Sequence, residues 1–139
     1  MRKILFTFTI LSSISTFAMA DKLDSKHQDW SVYGGDKGVC YIASQPIASD
    51  GNFKKRDEPY VLLNFKTGKP DEINVSSGYD YKKDVDAEVT VEAEKFKLYT
   101  EGNTAWARDS AGDKAIATAM KAGAKMKVKG ISKKGSYSV

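Results

Sequence analysis

Lys125, Lys127 and Lys129 alternate with Met126 and Val128, and a period of two places all three lysines on one face of an extended strand. Such a row is a cationic ridge, chemistry that attracts lipid headgroups, acidic glycans or nucleic acid. Lys133 and Lys134 follow closely, so these five lysines are the candidate contacts for an anionic surface. A blander reading competes, because lysines on an exposed strand also deter edge-to-edge aggregation. Edge protection is the default. No aromatic residue interleaves with these lysines as a base-stacking platform requires, so nucleic acid is not expected as a partner.

Catalytic templates fail one by one. His27 is the only histidine, which excludes zinc sites built on two or three imidazoles. A Cys40/His27 dyad would need a lowered thiol pKa, but His27 sits in a polar lead-in and Cys40 in an apolar run, the wrong setting for one. No nucleophile elbow, phosphate loop or dinucleotide fingerprint occurs. The run from Asp84 to Glu88 resembles the start of a calcium loop, yet its sixth position is Val89 and its twelfth is Lys95, where Gly and Glu are required. Glu92 and Glu94 share one phase of a strand pattern, a solvent face more readily than acid/base machinery. The sequence therefore predicts no catalytic, cofactor-binding or metal-binding residue, and no cofactor. The alternative class is a periplasmic enzyme or enzyme inhibitor whose site needs neither His nor Cys.

The chain starts with a segment of its own kind. Arg2 and Lys3 precede a mostly apolar stretch from Ile4 to Ile14, and Ala18-Met19-Ala20 ends it. That is the pattern of a secretory signal peptide, residues 1–20, cleaved before Asp21. The apolar stretch falls short of the roughly 20 residues of a membrane span, so no transmembrane span is expected in the mature chain. Export from the cytoplasm is therefore expected. The 139 residues carry 22 Lys+Arg against 18 Asp+Glu; without Arg2 and Lys3 the balance is 20 against 18, a net +2. From residue 111 onward seven lysines face the single acid Asp113, so residues 21–110 sum to −4. The basic character is confined to one end.

Short strand patterns must position these groups. Alternating or continuous apolar runs occur at Trp30–Tyr33, Val39–Ala43, Tyr60–Phe65, Ile73–Val75, Glu88–Ala93, Phe96–Leu98, Thr104–Ala107 and Met126–Val128. Turn residues separate them, among them the hairpin signal Glu101-Gly102-Asn103. Asp21–Gln28 reads as a polar lead-in. One helix is predicted after Asp113 as cap, with Ala115, Ile116, Ala119, Met120 and Ala122 at three- and four-residue spacing and Gly123 as the C′ stop. Trp30, Tyr41, Phe65, Phe96 and Trp106 fall on apolar phases and are expected in the core, whereas Tyr79 and Tyr81 are expected at an exposed strand end. Cys40 is expected buried and inert. The predicted fold is a single all-β sandwich over residues 21–139, with one short helix near the C-terminal end.

The order of these segments resembles the invasion-associated locus B family of exported alphaproteobacterial proteins. The matching residues are Trp30-Ser31-Val32, the run from Gly38 to Pro46, Ser76-Ser77-Gly78-Tyr79, Ala105-Trp106-Ala107, and Ile116 to Met120 with Gly123, Met126, Val128, Gly130, Ser132 and Gly135. The resemblance implies an immunoglobulin-like β-sandwich in the periplasm, on the outer membrane or secreted, and an association with host-cell invasion. Together with the leader pattern and the absent catalytic groups, it predicts a non-enzymatic role in invasion or envelope interactions. Its partner would be a protein or a component of the envelope or host surface. It carries no catalytic residue onto this chain. Family members often hold further cysteines, whereas Cys40 stands alone here.

Overall fold

The computed structural model describes residues 22–34, 39–69, 71–135 and 137–138; the expected signal peptide lies outside them. Ten strands and one helix follow in chain order: β1 (Lys22–His27), β2 (Trp30–Gly34), β3 (Val39–Ser44), β4 (Tyr60–Lys66), β5 (Glu72–Ser76), β6 (Ala87–Val91), β7 (Glu94–Glu101), β8 (Thr104–Trp106), α1 (Ser110–Ala122), β9 (Met126–Ile131) and β10 (Tyr137–Ser138). The all-β class and the short helix near the C-terminal end are as the sequence predicts. The strands hydrogen-bond into one continuous antiparallel order, β1-β2-β3-β4-β5-β8-β7-β6-β9-β10. Pairing of β5 with β8, Asn74 with Trp106 and Val75 with Ala105, joins what would otherwise be two separate sheets.

The sheet is strongly curled. Leu63 and Phe65 of β4 line one cavity with Val91 of β6 and Met126 of β9, although several strands separate them in the hydrogen-bonded order. Neighbouring strands lie about 4.8 Å apart, so a flat sheet would hold those residues on the order of 20 Å from one another. Curling gives an inner and an outer face. Alternation places Leu63, Ile73, Val75, Ala87, Val89, Val91, Leu98 and Ala105 inside, and all are buried. The helix packs against β5, β6 and β7 and adds Ile116, Ala117 and Ala119 to this core.

The helix begins earlier than its periodicity implies. Its N-cap is Asp109, whose Oδ1 accepts from the Gly112 N–H at 2.8 Å. Asp113 is instead buried in the first turn, where its Oδ1 accepts from the Ile73 N–H at 2.9 Å. Burial pushes its carboxyl above the ordinary range, against the pull of the Ile73 hydrogen bond. A raised carboxyl pKa favours the fold most below the unfolded value, and that contribution is lost as pH rises through the folded one. Gly123 does end the helix, but as an extended C-cap with φ −95°. Glycine is needed there for space, since a Cβ would lie 2.6 Å from Val91 Cγ1.

Four other expectations are corrected. The lead-in forms strand β1, because a two-residue turn at Gln28 and Asp29, with Gln28 at φ 53°, folds it back onto β2. Glu92 and Glu94 do not share a strand; a turn at Glu92 and Ala93 separates β6 from β7. Tyr81 is a core residue rather than an exposed one, with its hydroxyl 2.8 Å from Ser77 Oγ. Burial pushes its pKa up to about 12.

Cys40 is the fourth. It is exposed: it pairs with Phe65 near the start of β3, whereas α1 packs mainly against β5, β6 and β7. A maleimide or disulfide reagent is expected to label Cys40 in the native protein as fast as in denaturant. Labelling only after unfolding would contradict this exposure.

Candidate anionic-surface site

Strand register, rather than sequence spacing, assembles the basic surface. Glu88 of β6 pairs with Lys97 of β7 on one side and Lys129 of β9 on the other. One step along, Thr90 sits between Lys95 and Lys127. Val89 and Val91 point into the core, so alternation turns Glu88, Thr90 and the four lysines to the outer face. Four lysines surround one carboxylate, a local net charge of +3.

Glu88 holds this cluster together. Lys97 Nζ donates to its Oε2 at 2.9 Å, and Lys95 Nζ lies 3.8 Å from its Oε1. The Lys97 hydrogen bond is the main reason the Glu88 carboxyl stays below its usual range, with burial opposing and Lys95, Lys97 and Lys129 adding their charge. A carboxylate that remains ionised reduces the repulsion among lysines placed this close.

The five lysines named from the sequence do not stay together. Lys127 and Lys129 belong to the outer cluster. Lys125 precedes β9, so strand alternation does not govern it, and it borders a groove on the inner side. Lys133 lies beyond β9 and is ion-paired with Asp80. Lys134 is exposed in the following turn.

Lys95 and Lys97 replace them. Their alternation with Phe96 and Leu98 is visible in the sequence, but nothing in it shows that β6 comes to lie between β7 and β9.

Aromatic residues also join this face. Tyr99, two residues beyond Lys97 on β7, stacks on Trp106 of β8 with ring centroids 5.5 Å apart. The Trp106 indole N–H donates to Asn74 Oδ1. Farther across the outer face, Tyr33 and Tyr41 stack at 4.8 Å. Tyr41 and Trp106 are therefore not core residues: their neighbours Ile42 and Ala105 take the inner phase, which turns both rings outward. Phe65 and Phe96 do pack against the core, half-buried, and Trp30 borders the inner groove. The premise that no aromatics accompany the lysines holds along the chain but not on the surface.

Edge protection has structural support as well. β10 pairs only with Gly130 and Ile131, so among the described residues Met126–Lys129 meets no strand on its outer side.

Among the described residues, no group of three or more His, Cys, Asp or Glu side chains could hold a metal ion. No described helix is long and apolar enough to cross a membrane. No family model matches the chain, and neither does any curated protein or solved structure.

Proposed function

We propose that the chain is an exported, non-enzymatic binding protein of the bacterial envelope or cell exterior. Its outer sheet face engages an anionic component of the envelope or of a host-cell surface. The observation that carries this reading is the cluster of Lys95, Lys97, Lys127 and Lys129 around Glu88, beside the stacked Tyr99 and Trp106. The strands fix the spacing of these cations, so the ordering cost of meeting a charged surface is confined to the lysine side chains. The resemblance to invasion-associated locus B proteins supplies the biological setting, attachment or invasion. The leader pattern supplies the compartment.

The test is co-sedimentation with vesicles containing phosphatidylglycerol, beside vesicles of phosphatidylcholine alone. Each lysine near an anionic membrane is worth about 1 kcal/mol, so a Lys127→Gln/Lys129→Gln variant is expected to bind roughly thirtyfold more weakly. Raising salt from 0.1 M to 1 M shortens the screening length from about 10 Å to about 3 Å and is expected to release the native protein. A Lys22→Gln/Lys26→Gln variant makes the same charge change on β1, at the other end of the strand order, and should bind like the native protein. Equal loss in both variants would reduce the effect to net charge and leave the lysines as edge protection.

A further inference from the structure

On the inner side of the sheet a groove of about 220 Å³ runs between α1 and the strands. Its walls are apolar: Trp30, Ile42 and Phe65 on the sheet, and Met120 on the helix, with Met126 at the start of β9. Pockets for drug-sized ligands run from roughly 300 to 1,000 Å³, so this one suits a slender chain better than a ring system. Unbranched Met120 and Met126 can repack around such a chain.

Lys121 and Lys125 also border the groove. Glu92 is the carboxylate beside them, and its Oε1 is taken by the backbone N–H groups of Ala124 and Lys125 at 2.7 and 2.8 Å. Two lysines outweigh that one carboxylate together with the partial negative charge at the end of α1.

An apolar slot with a cationic border matches one ligand chemistry. We propose that the groove binds a single-chain anionic amphiphile, a free fatty acid, with its chain along Trp30, Phe65 and Met126 and its carboxylate at Lys121 and Lys125. A two-chain phospholipid does not fit this volume. The site is separate from the outer lysine cluster, and the two proposals stand or fall independently.

Trp30 reports on the groove directly. In a Trp106→Phe background it is the only tryptophan, since the chain holds two. Titrating this protein with saturated fatty acids of 8 to 14 carbons, below their micelle concentrations, is expected to shift Trp30 emission. Affinity should rise about fourfold per added methylene, then level off once the groove is filled. Dodecyltrimethylammonium, with the same chain length and the opposite charge, is expected to bind at least tenfold more weakly than dodecanoate. A Lys121→Gln/Lys125→Gln variant should lose that preference while keeping the dependence on chain length. Both positions are exposed, so the variant is expected to fold, and its thermal unfolding verifies that. The Lys127→Gln/Lys129→Gln variant should bind dodecanoate as the parent does. An affinity that never levels off with chain length, or equal binding of the cationic and anionic amphiphiles, would overturn the proposal.

Discussion

Leu98→Ala is expected to destabilise the protein by about 3–4 kcal/mol, the cost of removing a buried leucine side chain and leaving a cavity. Leu98 is fully buried on β7, near the middle of the strand order. It pairs with Ala87 of β6, too small to expand into the gap. Backbone hydrogen bonds on both sides limit how far the sheet can collapse around the hole. The melting temperature should fall by roughly 10 °C or more, and the urea midpoint should drop with little change in slope. Lys97→Ala, one residue away on the outer face, should cost less than about 1 kcal/mol. If Leu98→Ala cost no more than Lys97→Ala, the inner and outer assignments of β7 would be wrong.

Gly78→Ala is expected to cost about 3 kcal/mol for a different reason. Gly78 adopts φ +78°, and a Cβ built there would lie 2.1 Å from the carbonyl oxygen of Asp57. The left-handed backbone alone costs an alanine roughly 1–2 kcal/mol. The contact adds more, because its partner is backbone and cannot rotate away. That backbone is pinned, since the Asp57 N–H donates to the Gly78 carbonyl at 2.8 Å. Gly102 separates the two terms. It has φ +58° with open space around it, so Gly102→Ala should pay only the conformational cost of roughly 1–2 kcal/mol. Denaturant unfolding of both variants measures the difference. Equal losses would mean that the loop before β4 moves aside freely and that Gly78 is needed only for its backbone angle.

The Gly78 example shows how a motif can be legible without its reason. Ser76-Ser77-Gly78-Tyr79 stands out as a segment, yet no spacing points to the Asp57 carbonyl, 21 positions earlier. Gly130 is similar: a Cβ there would meet Ser77 Oγ and Tyr81 Cε1, both at 2.7 Å, so these two parts of the chain pack glycine against hydroxyl and ring.

By itself the sequence determined the all-β class, most of the strand positions and the single helix. Those follow from local period and turn chemistry, which act over a few residues. The alternation of Lys95 and Lys97 with Phe96 and Leu98, or of Lys127 and Lys129 with Met126 and Val128, is of that kind. Tertiary structure decided which alternating faces look outward and which strands become neighbours. An alternating run has two faces whose apolar ranking is ambiguous when each carries apolar residues, as with Ala105 and Ala107 on one phase and Trp106 on the other. The buried phase was settled by the helix and the curl of the sheet. Strand order decided the rest: inserting β6 between β7 and β9 brought four lysines from two distant segments around Glu88, while the first residues outside β9 sent Lys125 and Lys133 to other partners. Pairing between strands far apart in the chain depends on closing long loops and burying a shared core, and neither is written in local spacing.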